Sequence, residues 1–183
     1  MSLKHWKILE SKYLYKRSGM ALRVDRCETH NGDVFEPYVI EAKDWVNIIA
    51  LTKEREVILV RQYRHGVGEV LLEIPAGIMD DEDESPKQTA QRELLEETGY
   101  TGEQFIKIGK VYPNPATHSN VTYSFLALDV EKVDQQKLDE TEEIEVLLIP
   151  LDEFISLVKS GGLPQALHVS AFFFAMEYLE RNS

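Results

Sequence analysis

Residues 77–100 constrain the fold more than any other part of the chain, because they predict a loop and a helix with defined ends. The loop is polar and acidic. Ser85 and Pro86 are residue types favoured at the N-cap and at the first position of a helix. Gly99 is favoured just after a helix ends. We therefore predict a helix from about residue 85 to residue 98.

Three carboxylates share one face of this predicted helix, since Glu93, Glu96 and Glu97 fall within about 100° on a helical wheel. Like charges three and four residues apart repel by roughly 0.2–0.5 kcal/mol per pair, and the last turn of a helix favours cations. Breaking two local preferences at once indicates a functional site. A hard divalent cation such as Mg²⁺ would resolve the repulsion, whereas on an ordinary helix such a cluster is a solvated acidic face.

The rest of the sequence predicts one mixed sheet with helices packed on it. An Asn31-Gly32 hairpin turn and a charged turn at 52–56 separate alternating or β-branched runs. Strands are predicted at 8–25, 34–41, 44–51, 57–63, 69–75, 105–112, 121–130 and 143–149, and further helices at 151–159 and from about 163.

Composition excludes several classes of function. The net charge of −12 argues against nonspecific binding of nucleic acid, and acidity alone needs no explanation beyond solubility. No run of about 18 apolar residues predicts a membrane span, and the polar start of the chain does not resemble a secretory signal. Cys27 is the single cysteine, which rules out an intramolecular disulfide. We expect a cytoplasmic location.

The segment resembles the signature of the Nudix hydrolases, written G-x5-E-x7-R-E-U-x-E-E-x-G-U, where U is a bulky apolar residue. The matching positions are Gly77, Glu84, Arg92, Glu93, Leu94, Glu96, Glu97, Gly99 and Tyr100. The loop after Gly77 carries one extra residue, so Asp83 keeps the spacing from Gly77 while Glu84 keeps the spacing to Arg92. We assign Glu84, because helix register is stiffer than loop length.

Features outside the signature resemble the branch of ADP-ribose and nucleoside-diphosphate-sugar pyrophosphatases. They are the run VRQYRHGVGEVLLEIPAG, a proline at 115, and the late acidic loop DETEEIEV at 139–146. The resemblance implies the α+β class, as a Nudix-type α/β/α sandwich with a mixed β-sheet and an N-terminal antiparallel strand extension. It also implies an extension over residues 1–45 that dimerises the protein, and a catalytic domain over 46–183.

The resemblance further implies roles for individual residues. Glu93, Glu96, Glu97, the Ala76 carbonyl and Glu84 would bind metal; Arg64, Glu73, Pro115 and His118 would contact substrate; Arg92 and Gly77 would support the metal ligands; and Glu142, Glu97 or Glu140 would act in catalysis. The general base is either Glu142 in the late loop or a glutamate of the signature.

The implied reaction is magnesium-dependent hydrolysis of a nucleoside diphosphate sugar to a nucleoside monophosphate and a sugar phosphate, with Mn²⁺ as a possible substitute. Partners would be the small substrate and a second copy of the chain. Two alternatives remain: hydrolysis of nucleoside triphosphates, dinucleoside polyphosphates or coenzyme A, and a domain that only senses a nucleotide. Pro115 and the late acidic loop disfavour the first. The complete set of signature glutamates disfavours the second.

Overall fold

The computed structural model describes residues 5–140 and 142–182. These residues divide into two compact units. One unit comprises the chain up to Asp44 together with Tyr112–Val121, and the other comprises Trp45–Val111 with the chain from Thr122 onward. The sequence did not anticipate that the segment 112–121 would group with the N-terminal strands. The dimerising role of those strands stays a prediction.

The first unit contains a four-stranded antiparallel sheet. Its strands are β1 (Lys7–Arg17), β2 (Met20–Glu28), β3 (Val34–Phe35) and β4 (Tyr38–Ala42), and β2 pairs with each of the other three. The predicted turn around Gly32 lies between β2 and β3. The single strand predicted over 8–25 is wrong: Arg17 pairs with Met20 across Ser18-Gly19, a turn dipeptide that the loose alternation concealed.

The segment 112–121 lies along β4 in this unit. The Ile40 N–H donates to the Thr117 carbonyl at 2.7 Å, and the Ser119 N–H donates to the Ile40 carbonyl at 3.1 Å. At the end of the segment, the Val121 N–H donates to the Asp44 carboxylate at 2.8 Å. Backbone bonds therefore give this proline-containing loop a defined course.

The second unit contains an eight-stranded mixed sheet. Its strands are β5 (Trp45–Thr52), β6 (Glu56–Arg64), β7 (Glu69–Glu73), β8 (Ala76–Ile78), β9 (Tyr100–Thr101), β10 (Gln104–Val111), β11 (Thr122–Lys132) and β12 (Ile144–Pro150). The main order is β10-β11-β5-β6-β12, and among the strand pairings of this sheet in the described residues only β11·β5 is parallel. The predicted antiparallel pairing across the turn at 52–56 is confined to Leu51 and Val57.

Helices cover both faces of this sheet, which confirms the predicted α/β/α sandwich. They are α1 (Pro86–Thr98), α2 (Leu151–Lys159) and α3 (Ala166–Arg181). Alternation along β5 shows why: Ile48 packs in a core with Leu94 of α1, whereas Ile49 packs in a second core with Phe154 of α2 and Ala171 of α3. Among the described residues, no helix is long and apolar enough to span a membrane.

The predicted boundaries of α1 are confirmed. The Ser85 hydroxyl accepts a hydrogen bond from the Gln88 N–H at 3.3 Å, and Pro86 takes the first helical position. Gly99 ends the helix in the left-handed region with φ 77°, and its N–H donates to the Leu95 carbonyl at 2.8 Å. The start of the last helix was placed about three residues too early, since α3 begins at Ala166.

Replacing Gly99 with alanine will destabilise the protein more than replacing Gly161, although both have positive φ. A Cβ on Gly99 would lie 2.2 Å from the Asp134 carbonyl oxygen, whereas a Cβ on Gly161 meets nothing within 4 Å. Both variants carry the strain of a left-handed alanine, about 1 kcal/mol, and Gly99→Ala adds a backbone clash. Urea unfolding measures the difference. Equal losses of unfolding free energy in the two variants would contradict the packing of the Asp134 backbone against the end of α1.

Candidate active site

Glu97 is a buried carboxylate held against the end of β8. It is 4% exposed, and its Oε2 accepts a hydrogen bond from the Ala76 N–H at 3.1 Å. Burial raises the pKa of Glu97 well above its ordinary value; the Ala76 hydrogen bond opposes this, and the charges of Glu93 and Glu142 add to it. Because Ala76 lies on β8 and Glu97 on α1, this bond fixes the last turn of the helix next to the sheet.

Glu93 occupies the space beside Gly77. Burial raises the pKa of Glu93 to about 7, with Arg92 lowering it and the charges of Glu96 and Glu142 raising it further. A Cβ at position 77 would stand 1.9 Å from the Glu93 carboxyl carbon, so only glycine leaves room for this side chain. This close approach explains why the chain has a glycine there, and it makes Gly77 a support for Glu93.

Arg92 connects the acidic helix to the loop before it. Its Nη1 lies 2.9 Å from Glu93 Oε1 and donates to Glu96 Oε2 at 2.9 Å. Its Nε and Nη2 donate to the two oxygens of Asp83 at 3.2 and 2.9 Å, and Nη2 also donates to the Ile78 carbonyl at 3.1 Å. The guanidinium therefore holds two signature glutamates in fixed orientations from a loop anchored at Asp83.

Asp83, rather than Glu84, is the loop acid that contacts this network. The Asp83 side chain is 5% exposed and also accepts from the Thr89 hydroxyl at 2.9 Å. Its hydrogen bonds from Arg92, opposed by burial, lower its pKa to about 2. Glu84 is exposed, and its backbone N–H donates to the Gln88 side chain. The sequence signal for Asp83 was its correct spacing from Gly77; metal binding by Glu84 stays a prediction.

The carboxylates have the chemistry of a divalent-cation site. Glu97 is buried and Glu93 is half-buried, and the charge of Glu93 raises the pKa of Glu97. Both belong to one helix face with Glu96, and the Ala76 carbonyl lies at the strand end that contacts Glu97. Oxygen donors that repel one another suit Mg²⁺. Within the described residues, no three His, Cys, Asp or Glu side chains already converge as a metal centre. Glu93 and Glu96 are instead engaged by Arg92.

The late acidic loop is fastened to the end of α1. The Gln136 side-chain amide donates to the Glu97 carbonyl at 2.7 Å and to the Ile144 carbonyl at 3.0 Å. The Lys137 N–H donates to the Glu96 carbonyl at 2.8 Å. The bonds to Glu97 and Glu96 use carbonyls that the helix end leaves free, and the sequence alone did not single out Gln136.

Glu142 and Glu140 have different surroundings in this loop. Glu142 is half-buried, and its charge acts on Glu93, Glu97 and Arg64. Its carboxylate accepts from the Asp139 N–H at 3.1 Å. Glu140 is exposed. Of the two predicted candidates, Glu142 is the one whose electrostatic coupling to the acidic helix the structure shows.

Arg64 and Glu73 form an ion pair beside the carboxylates. Arg64 Nε donates to both oxygens of Glu73 at 3.1 Å, and Glu73 is 1% exposed. The pKa of Arg64 is raised: burial opposes the shift, and the hydrogen bond and charge of Glu73, with the charges of Glu97 and Glu142, outweigh it. Both residues line a cavity of about 640 Å³ whose wall includes Ala76 and Gly77.

Pro115 and His118 belong to the other unit, with the N-terminal strands. Pro115 is exposed. His118 is half-buried, forms a parallel bridge with Ile40, and its Nδ1 lies 3.0 Å from the Thr117 hydroxyl. Their predicted contacts with substrate stay predictions.

A family model matches most of the second compact unit. The model of the NUDIX domain matches residues 43–169, more than half of the chain. The chain belongs to the Nudix family, and the carboxylate helix lies within the matched region.

Two relatives agree with this assignment, and a solved structure shares the fold. An ADP-ribose pyrophosphatase of Bacillus subtilis (strain 168) is 30% identical over 95% of this chain and 92% of that protein. A GDP-mannose pyrophosphatase of Citrobacter koseri is 29% identical over 73% of this chain and 74% of that protein. A crystal structure described as an ADP compounds hydrolase matches with a TM-score of 0.87, at 23% identity over 100% of this chain and 98% of that one, which shows the fold.

Changing Asp83 to Asn will weaken the Arg92 network, whereas changing Glu84 to Gln will leave it intact. Losing the charge in two hydrogen bonds from Arg92 costs about 1–3 kcal/mol of unfolding free energy. Because the pKa of Asp83 is lowered from 3.8 to about 2, its contribution is present above pH 4 and fades as the pH falls towards 2. Denaturant unfolding at pH 7 and pH 3 measures both effects. Equal stability of the two variants at pH 7 would contradict Asp83 as the loop acid that holds Arg92.

Proposed function

We propose that the protein hydrolyses the diphosphate of nucleoside diphosphate sugars, such as ADP-ribose, releasing a nucleoside monophosphate and a sugar phosphate. One observation carries the proposal: the cavity that contains Arg64 has Ala76 and Gly77 in its wall, and these residues contact Glu97 and Glu93. A substrate in that cavity would place its diphosphate between a guanidinium and a carboxylate cluster. The names of the relatives point to the same class of substrate.

The acidic helix would hold Mg²⁺ through Glu93, Glu96 and Glu97, with the Ala76 carbonyl and Glu84 as further candidates. When bound, the ion neutralises phosphate oxygens and lowers the pKa of the attacking water. Arg92 competes for Glu93 and Glu96, so it keeps their rotamers fixed when the ion is absent. Gly77 leaves the space in which the Glu93 carboxylate lies.

Arg64 would bind the substrate diphosphate. Its side chain is 41% exposed while its partner Glu73 is 2% exposed, so the ion pair has one accessible end, the guanidinium. Glu73 orients it by accepting hydrogen bonds from Nε and Nη2, which leaves Nη1 and the second hydrogen of Nη2 as donors for phosphate oxygens. Glu73 thus acts through Arg64, and not by contacting an anionic group itself.

Glu142 would accept the proton of the attacking water. Its support is its electrostatic coupling to Glu93 and Glu97, and the attachment of its loop to α1 through Gln136. A signature glutamate, Glu97 first, is the competing base. Glu97 is the weaker candidate because its carboxylate is buried and already accepts the Ala76 N–H.

The active form would be a homodimer in the cytoplasm. Support for the dimer comes from β1, in which all eleven residues are exposed. They include the large apolar side chains of Ile8, Leu9, Tyr13, Leu14 and Tyr15. An exposed apolar strand of this length is a common protein interface. Support for the cytoplasm comes from Cys27, a buried cysteine without a disulfide partner.

An assay of released nucleoside monophosphate tests the proposal, with ADP-ribose, GDP-mannose and other nucleotide sugars as substrates. Each substrate is assayed once with Mg²⁺ and once with a chelator. Wild type will cleave at least one nucleotide sugar only when Mg²⁺ is present. Glu97→Gln keeps an acceptor for the Ala76 N–H and will fold, but its turnover will fall by at least about 100-fold, as expected for loss of a metal ligand. Turnover of nucleoside triphosphates alone would overturn the assignment.

The matched pair Glu142→Gln and Glu140→Gln tests the general base in the same assay. Glu142→Gln will lower kcat about 100-fold or more with little change in KM, which is the usual contribution of a general base. Glu140→Gln will keep the wild-type rate, since Glu140 is exposed. An unchanged kcat for Glu142→Gln would move the base to the signature helix.

A further inference from the structure

The cavity beside Arg64 is lined by three buried polar residues from three elements. Asn47 lies on β5, Thr122 on β11 and His168 on α3, and they are 1%, 1% and 2% exposed. All three line the cavity, whose other walls include the apolar side chains of Trp45, Val46, Leu71 and Leu167. The Nudix signature contains none of the three polar residues.

Each of these side chains has an unpaired polar atom. Across residues 5–140 and 142–182, no hydrogen-bond partner is present for Asn47 Oδ1, Thr122 Oγ1 or His168 Nδ1. Asn47 is nevertheless held in place, since its Nδ2 donates to the Leu167 carbonyl at 3.1 Å. A buried polar atom without a partner costs about 1–3 kcal/mol. All three atoms belong to residues that line one cavity, which points to a ligand or a trapped water as their missing partner.

The three groups are electrically neutral. Burial lowers the pKa of His168 to about 4, with Glu73 raising it and Arg64 lowering it, so the imidazole is uncharged at pH 7. A neutral imidazole and a hydroxyl can each donate or accept, and Asn47 Oδ1 accepts. Such a set matches hydroxyl groups, which also donate and accept. It is a poor match for a phosphate or a cation.

The position of the cavity identifies which hydroxyls would enter it. Arg64, Ala76 and Gly77 lie in its wall, next to the carboxylates. In a nucleoside diphosphate sugar, each phosphate is esterified to a sugar. Whichever half of the substrate enters, the first group beyond the diphosphate is therefore a sugar and not a base.

We propose that Asn47, Thr122 and His168 form a subsite that binds hydroxyl groups of the sugar next to the diphosphate. The proposal rests on the proposed function and adds residues that select the substrate by its sugar. The hydroxyls come either from the ribose of the nucleoside or from the second sugar, since both offer the same chemistry.

Thr122→Val and Ser124→Ala form the central comparison. Valine removes the Thr122 hydroxyl at nearly constant volume. Ser124 lies two residues along the same strand and is also buried with an unpaired hydroxyl, but it does not line the cavity. Thr122→Val will raise KM for ADP-ribose ~3- to 10-fold with kcat little changed, the effect of one lost neutral hydrogen bond, while Ser124→Ala will match wild type.

His168 provides a second comparison. His168→Asn keeps a polar atom near the position of Nδ1 and will retain most of the affinity, whereas His168→Leu removes it and will raise KM in the same range. Urea unfolding of every variant confirms that the fold is retained. Wild-type KM in both Thr122→Val and His168→Leu, or an equal rise in Ser124→Ala, would overturn the subsite.

Binding of an uncleavable analogue separates this proposal from the proposed function. Calorimetry with α,β-methylene ADP-ribose measures affinity without turnover, and Thr122→Val will bind it ~3- to 10-fold more weakly than wild type. Analogues that lack a hydroxyl on either the nucleoside ribose or the second sugar distinguish the source of the hydroxyls. The effect of Thr122→Val disappears for the analogue that lacks the hydroxyl bound by the subsite.

If wild type binds the uncleavable analogue but cleaves no nucleotide sugar, the proposed hydrolysis fails while the subsite stands. If Thr122→Val binds it like wild type, the subsite fails alone.

Discussion

The hydrogen bond from the Ala76 N–H to Glu97 is the contact on which the carboxylate site depends. It joins the last turn of α1 to the end of β8, where the backbone also supplies the Ala76 carbonyl. One residue further, Gly77 leaves room for Glu93 because it has no Cβ. A helix that carries several acids can therefore lie close to a strand, so the Glu97 carboxylate is buried and that of Glu93 is half-buried.

Burial makes the ionised carboxylates of Glu93 and Glu97 unfavourable unless a positive charge compensates for them. Since the pKa of Glu93 is about 7 rather than 4.5, ionising it in the folded protein weakens folding by about 3 kcal/mol at pH 8. Arg92 supplies partial compensation through Glu93 and Glu96, and Asp83 holds Arg92 in turn. A divalent cation would complete the charge compensation, so binding of the metal would also stabilise the fold.

The sequence predicted the elements whose signals are local. Ser85, Pro86 and Gly99 defined α1, because caps and turn residues act within a few positions of themselves. Spacing along the chain pointed to Glu84 as a metal ligand, which stays a prediction. It could not show that Asp83 contacts Arg92, because the path between these two residues includes a loop. Asn47, Thr122 and His168 could not be grouped, since they lie on separate elements that tertiary packing brings to one cavity. Gln136 was missed for the same reason.

Thermal unfolding of wild type and Glu93→Gln at pH 8, with Mg²⁺ or with a chelator, tests most directly whether the buried carboxylates need a cation. In the chelator, Glu93→Gln will unfold roughly 6–12 °C above wild type, because relieving about 3 kcal/mol shifts the Tm of a protein of this size by that amount. Adding Mg²⁺ will raise the Tm of wild type and close the gap, and it will raise that of the variant much less. A wild type that is the more stable protein in the chelator, or whose Tm does not respond to Mg²⁺, would contradict a metal site at the acidic helix.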